Sequence, residues 1–427
     1  MKLATGGTGK AAMGFILLLA LLDAVSMGLI YPILPQLVID LSGGDTPHAS
    51  RIFGLLAAAW AVMNFVAAPI LGTLSDRFGR RPVILISAFG LAIDLVIMAL
   101  AQNLAWLFIG RLLSGVTAAS YATISAYLAD VTPPEQRARR FGLLSGIFGI
   151  GLILGPAAGG LLAEISLRAP FWVAAVLTAF GWLYGLLVLP ESLPAERRAR
   201  LSWHAANPVK SFGVLTRYEG LSGLSAMAML VQLAAQAVNT LFMLYTAHRY
   251  GWTPVQVGLL LMVYSAGTIV MVAALSPFLV SRFRERKVVL GGLLCLVVGF
   301  LGLAVAPTGF WFAAACAVIC LGNVATPPLQ ALLTHKVGAD EQGRLQGALS
   351  ALMALTGMVG PILFTQIFAW SISGNAVPAM SGIALAVGAF MAALAWLLAL
   401  KVARSPKAEK MPSAEDAAAT AAGMMPS

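Results

Sequence analysis

Twelve apolar stretches recur along this chain, beginning near Ala11, Phe53, Val83, Leu104, Phe141, Pro170, Leu221, Val255, Val288, Phe310, Leu345 and Val377. A helix rises 1.5 Å per residue, so about 20 such residues cross the roughly 30 Å hydrocarbon core of a bilayer. Short polar connections separate the stretches, except for the segment 191–219 and the tail after Lys401. The pattern predicts an all-α membrane protein of twelve transmembrane helices. Residues 1–190 and 221–400 supply six each, joined by a linker over 191–220. The tail 401–427 is poor in large apolar residues and is expected to be disordered.

A single offset of 205 residues relates the two sets. Arg77, Phe78 and Arg81 match Arg282, Phe283 and Arg286, Arg139 matches Arg344, Gly142 matches Gly347, and Gly155-Pro156 matches Gly360-Pro361. One offset joining loops and helices argues for duplicated, pseudo-symmetric six-helix bundles, and parallel repeats of this kind describe transporters that work about a midplane site. The second copy is degenerate: Pro277, Ser281 and Glu285 replace Gly72, Asp76 and Arg80.

Composition and charge sharpen the picture. The chain is 59% hydrophobic and 10% charged, against about 25% charged in soluble domains. Of its 27 Lys and Arg, 23 fall on the side that holds both termini; Arg51, Arg168 and Arg249 fall opposite, and Arg111 lies within or beside the fourth helix. The positive-inside rule therefore places both termini and the linker in the cytoplasm. The net charge of +10 is spread over several loops, which argues against nucleic-acid binding. Lys2 and Lys10 ahead of an apolar run imitate a secretory signal, but the run continues past Asp23 to Val38 and reads as a retained helix. Cys295, Cys316 and Cys320 have no His or acid beside them and read as packing residues rather than metal ligands. No hydrolytic triad or phosphate-binding Gly-x4-Gly-Lys-Ser/Thr is present, so neither an enzyme nor an ATP-driven pump is expected, and no cofactor or metal.

Candidate chemistry lies in four places. Asp23 in the first helix and Asp94 in the third are carboxylates at membrane depth, where burial costs on the order of 3 kcal/mol unless a partner or wet cavity offsets it. Each is a candidate proton carrier, a static pair with Arg111 being the alternative. Gly72, Asp76, Arg77, Arg80 and Arg81 crowd the connection between the second and third helices. The fifth helix carries Gly142, Gly151, Gly155, Pro156, Gly159 and Gly160, of which Gly151 and Gly155 allow close helix approach. The seventh presents Gln232, Gln236 and Asn239 on one stripe with Phe242 nearby, suited either to a substrate cavity or to interhelical hydrogen bonding.

These motifs resemble the major facilitator superfamily over most of the chain. The run Gly72-Thr73-Leu74-Ser75-Asp76-Arg77-Phe78-Gly79-Arg80-Arg81 is similar to that family's loop between helices 2 and 3. Leu21-Leu22-Asp23-Ala24, Gly110-Arg111-Leu112-Leu113-Ser114-Gly115 and Gly149-x-Gly151-Leu152-Ile153-x-Gly155-Pro156 look closest to the tetracycline-efflux branch of drug–proton antiporters. The resemblance implies the major facilitator fold, a part in proton transfer for Arg111, and an antiporter motif in the fifth helix. It also implies a cytoplasmic latch. Asp76 is expected to meet the start of the eleventh helix near Gln346-Gly347 when the cytoplasmic side closes, and Arg77 or Arg81 to pair with Asp130. One departure stands out: tetracycline exporters typically keep an aspartate in the ninth helix, whereas Val288–Val298 here has no acid. Coupling would then rest on the N-terminal half. The expected function is proton-coupled efflux of hydrophobic or amphiphilic small molecules, tetracycline-like drugs among them, in a bacterial inner membrane. The expected partners are substrate, protons and lipid, with no obligatory protein partner and a functional monomer. The alternatives are uptake symport of an organic solute and a non-transporting sensor or scaffold.

Overall fold

The computed structural model describes residues 8–118, 120–194, 196, 198, 215, 217–218, 220–338, 341–373 and 378–404. Most of the linker and the tail beyond 404, for which disorder was expected, lie outside the described residues. Fifteen α-helices run through the rest: α1 Thr8–Ile30, α2 Leu34–Leu41, α3 Thr46–Phe78, α4 Arg80–Leu100, α5 Leu104–Thr117, α6 Ser120–Val131, α7 Arg137–Ala163 and α8 Ala169–Val188, then α9 Leu221–Tyr250, α10 Pro254–Val270, α11 Ser276–Val305, α12 Gly309–Gly322, α13 Thr326–Thr334, α14 Gln342–Ile372 and α15 Ile383–Arg404. No strand occurs among the described residues.

Local chemistry sets several boundaries. Pro32 and Pro35 flank the break between α1 and α2, where a helical backbone donor is missing. The Asn103 side chain accepts from the backbone N–H groups of Ala105 and Trp106 and starts α5, and Thr253 with Gln256 forms a capping box at α10. Eleven continuous helical stretches are long and apolar enough to cross a membrane. One of them, Pro254–Val305, is 52 residues, about 78 Å at helical rise, and is broken at Arg284. It therefore crosses twice, and the protein is a multi-pass membrane protein of twelve spans. A π-helical turn over Met271–Leu275 joins α10 to α11.

The connection at Gly72–Val83 is tighter than its sequence suggests. Helix α3 continues to Phe78 and α4 begins at Arg80, so the chain reverses at Gly79 alone (φ 107°, ψ 160°). Arginine and aspartate in water are compatible with helix, so the end of the apolar run does not end the helix. The duplicated site 205 residues on reverses the same way at Arg284 (φ 66°, ψ 152°), the only non-glycine positive φ among the described residues.

The two sets of helices meet chiefly through α3 against α14 and α7 against α10. These contacts lie away from the end that carries Arg80 and Glu341, called here the basic end. A Cβ on Gly54 would collide with Thr365, one on Gly160 with Pro254, and one on Gly258 with the Pro156 carbonyl. Toward the basic end, Gly72 of α3, Gly142 and Gly146 of α7 and Gly343 of α14 have nothing within 4 Å of a Cβ. The bundle is sealed at its far end and open at its basic end.

Candidate functional site

Between the halves lies a cavity of about 480 Å³. From α1 it takes Asp23, Ser26 and Met27, from the turn after it Tyr31, from α3 Phe53, Trp60 and Asn64, from α5 Arg111 and Ser114, and from α9 Gln236 and Asn239. Aromatic and aliphatic walls with a few polar groups are the usual make-up of a small-molecule site. Tyr31 donates a hydrogen bond to the Asn239 carbonyl and so ties the two halves across the cavity. Asn239 donates to Gln236 Oε1 at 3.2 Å, and Gln236 donates to the Thr356 carbonyl at 3.4 Å. These two side chains thus serve cavity wall and helix pairing together. Gln232 and Phe242 do not line this cavity. Phe242 is buried in an aromatic cluster, its ring 5.4 Å from Phe312, because α9 turns that face toward its own half.

The three candidate proton-coupling residues, Asp23, Asp94 and Arg111, sit differently from one another. Asp23 is on the cavity wall and has no hydrogen bond or ion pair with any described residue. A water-sized void of about 10 Å³ continues from it toward Ser87 and Thr178. Asp94 is fully buried behind α5 with neither oxygen hydrogen-bonded, and a Cβ on Gly110 would lie 3.0 Å from its Oδ1. Arg111 faces the cavity, its guanidinium carbon 5.4 Å from the Trp60 ring centre and its Nε without a partner. The static Asp94–Arg111 pair is not formed, although Arg111 is the cation whose field acts on Asp94. The positions 205 residues on from Asp23, Asp94 and Arg111 are Ala228, Gly299 and Cys316, so the duplicated half carries no charge there. Cys316 and Cys320 are buried as expected, whereas Cys295 is only partly so.

The glycines of α7 have two duties. Gly151, Gly155 and Gly159 lie along one face against α1, where Cβ atoms would strike Ala24, Gly28 and Leu29. At the Gly28–Gly155 crossing the backbones themselves touch, and the distance from an added Gly155 Cβ to Gly28 Cα would be 2.6 Å. Pro156 and Gly160 form the other edge and meet Gly258 and Pro254 of α10, across the interface between the halves. Gly142 stands apart, at the open end.

At the basic end the arginine that pairs with Asp130 is Arg80, not Arg77 or Arg81. Arg80 Nη1 lies 2.6 Å from Asp76 Oδ1 and its Nε lies 3.1 Å from Asp130 Oδ2, and Nη1 also donates to Ser75 Oγ. Arg80 follows the reversal at Gly79 directly, which turns its side chain inward to 12% exposure. Arg81 instead donates to the Leu186 carbonyl, and the Arg77 guanidinium lies over Phe78. Asp76 makes no contact with the start of α14, as the open basic end requires; Gln346 there accepts from Gln330. Gly72 has free space around it.

Two parts of this region were not foreseen. Glu191, placed in the linker, caps α4: its carboxylate accepts from the N–H groups of Arg80 (2.8 Å), Arg81 (3.3 Å) and Leu193 (3.0 Å). An anion at a helix start is favoured by the aligned backbone dipoles. Its position right after Pro190, at the end of an apolar run, was the available signal. The second is a copy of the Arg80–Asp130 pair in the other half with its polarity reversed. Glu285 and His335, each 205 residues on, lie with Oε2 and Nδ1 3.8 Å apart. The cavity aromatics Tyr31, Phe53 and Trp60 were missed as well, since on apolar helices they look like any packing residue.

Comparison with known proteins fits this geometry. The sequence profile of the Major Facilitator Superfamily matches residues 16–361 and 224–423. The tetracycline resistance protein of class C from Escherichia coli is 39% identical over 86% of this chain and 91% of its own. The class G protein from Vibrio anguillarum is 36% identical over 92% and 98%. Among solved structures, the nucleoside transporter NupG superposes with a TM-score of 0.76 at 15% identity, covering 92% of this chain and 99% of that one, a likeness of fold.

Proposed function

The chain belongs to the major facilitator superfamily, and we propose that this transporter exports hydrophobic or amphiphilic small molecules in exchange for protons, by alternating access. The observation that carries the reading is the central cavity: sealed at one end, open at the other, with Asp23 and Arg111 on its wall and neither in an ion pair. The names of the tetracycline resistance relatives support drug-like substrates, tetracyclines among them.

The basic end faces the cytoplasm of a bacterial inner membrane, with both termini on that side, in keeping with its Lys/Arg excess. The structure then corresponds to an inward-facing state. The moving units are residues 1–190 and 221–400, linked by 191–220 and acting as one monomer. A substrate entering from the cytoplasm meets Asp23, which gives up its proton as the ligand binds. Asp94 has no ion-pair partner in this state, so its loss of a proton draws the Arg111 guanidinium off Trp60 and toward α4, which reshapes the cavity wall. Closure at the cytoplasmic end brings Asp76 to the start of α14, where the helix dipole receives it. With Ala228, Gly299 and Cys316 at the duplicated positions, proton coupling is confined to one half.

The test is flux into proteoliposomes holding a pH-sensitive dye, with an imposed proton gradient and a panel of amphiphiles that includes a tetracycline. Compound-triggered proton movement lost in Asp23→Asn supports the proposal. Transport indifferent to both Asp23→Asn and Asp94→Asn removes the coupling roles, and substrate accumulation driven along the proton gradient reverses the vector to uptake.

A further inference from the structure

A second cavity, of about 380 Å³, opens on the outer face of the C-terminal half, remote from the transport site. Its walls are Leu275 and, ahead of the reversal at Arg284, Leu279 on one side and Leu321 and Val324 on the other, with α11 beyond that reversal as the floor. The floor is hollow because of a glycine. A Cβ at Gly291 would meet nothing within 4 Å, whereas the next residue, Gly292, is packed against Gly322 and Ala325. Leu275 closes the π-helical turn, so one wall of the groove is the place where the α-helical pattern is interrupted.

Lys287 is the one charged residue of the lining, with Phe283 beside it at the reversal, and the rest of the groove is apolar. Lys287 lines the mouth, is exposed, and makes no hydrogen bond or ion pair with any described residue. It lies three residues after the reversal at Arg284, where α11 enters the membrane from the basic end. Arg282 and Arg284 of the same connection are exposed too, and its single acid, Glu285, is engaged with His335. From Lys287 the groove runs past Val288 and Gly291 to Cys295. Those nine residues span about 12 Å of helix, close to the roughly 15 Å hydrocarbon depth of one leaflet.

The geometry points to a seat for one anionic phospholipid of the leaflet at the basic end: an acyl chain lies along Gly291 toward Cys295, and the phosphate meets Lys287. A cation at headgroup depth over a groove one chain wide fits a lipid by both charge and length. A lysine whose only role was to snorkel would need no groove beneath it. This seat is independent of the transported substrate and of proton coupling.

Native mass spectrometry of the full-length protein, released from detergent with added phosphatidylglycerol or phosphatidylcholine, reads it directly. One phosphatidylglycerol is expected to be retained about tenfold more tightly than phosphatidylcholine, roughly the factor carried by 1.4 kcal/mol. Lys287→Gln should abolish that preference, and Gly291→Leu, which fills the floor, should weaken retention of both lipids. Arg282→Gln removes another exposed charge outside the groove and should leave the preference intact. Equal retention of the two lipids overturns the seat. So does a preference that survives Lys287→Gln, or one that falls as much in Arg282→Gln as in Lys287→Gln, since that is a general surface attraction.

Discussion

The paired reversals at Gly79 and Arg284 allow one substitution to be read against its mirror image. Gly79 sits at φ 107°, ψ 160°, a region open essentially to glycine alone, and holding any other residue there costs on the order of 1–3 kcal/mol. A Cβ on Gly79 would also lie 2.2 Å from Glu191 Oε2. The carboxylate would have to withdraw from the N–H groups of Arg80 and Arg81, and loss of a helix cap costs about 0.5–2 kcal/mol more. Gly79→Ala should therefore destabilise by about 1.5–5 kcal/mol in total. At Arg284 the same backbone strain is already present, so Arg284→Gly should stabilise by about 1 kcal/mol, less the added freedom glycine gives the unfolded chain. Thermal unfolding in detergent, followed by tryptophan fluorescence, measures both against the parent protein. The expected result is a midpoint lowered by several degrees in Gly79→Ala and raised slightly in Arg284→Gly. A Gly79→Ala midpoint equal to the parent's, with Arg284→Gly lowered, would refute the strain argument at both sites.

Three other outcomes are expected. Gly28→Ala places a Cβ 2.8 Å from Gly155 Cα and 2.9 Å from Pro156 Cδ, backbone and ring that cannot swing aside, so overpacking should cost about 1–3 kcal/mol in thermal unfolding; an unchanged midpoint would show that α1 and α7 part freely. Arg80→Ala strips Asp76, Asp130 and Ser75 of a shared, mostly buried donor and should cost about 1.5–3 kcal/mol, whereas Glu285→Ala breaks one long, half-exposed pair and should cost less than about 1 kcal/mol; equal losses would mean the two copies are energetically alike after all. Glu341, at the start of α14, accepts from the Tyr218 hydroxyl (2.5 Å) and from Arg217 (2.7 Å) and Arg344 (3.1 Å), and these partners, Tyr218 foremost, hold its carboxyl below the usual range. A depressed folded value means the stabilisation is complete above the ordinary glutamate range and fades as pH falls through the lower folded value. The acid limb of the stability profile should therefore flatten in Glu341→Gln, and an identical limb would discard the linkage.

The order and number of spans were legible in the sequence because each needs only a run of apolar residues of bilayer length. Duplication was legible for a similar reason: a fixed offset survives in charged and glycine positions even after Gly72, Asp76 and Arg80 have given way to Pro277, Ser281 and Glu285. Asp23, Asp94 and Arg111 could be singled out because charge inside an apolar helix is costly and needs a reason. The sequence could not say which of them shares a space. That depends on the rotation of each helix about its axis: α1 turns Asp23 into the cavity, α4 turns Asp94 behind α5, and α9 turns Phe242 away while keeping Gln236 in. The partner of Asp130 was likewise hidden, because a one-residue reversal at Gly79 decides which of three neighbouring arginines points inward. Glu191 reached the start of α4 over a separation of more than a hundred residues, and no local pattern records such a contact. Composition and periodicity determined that this chain spans a membrane twelve times in two related halves. Only tertiary packing, set by the close approach of Gly28 to Gly155 and by the seal between α3 and α14, decided which end is open and which polar groups face one another inside.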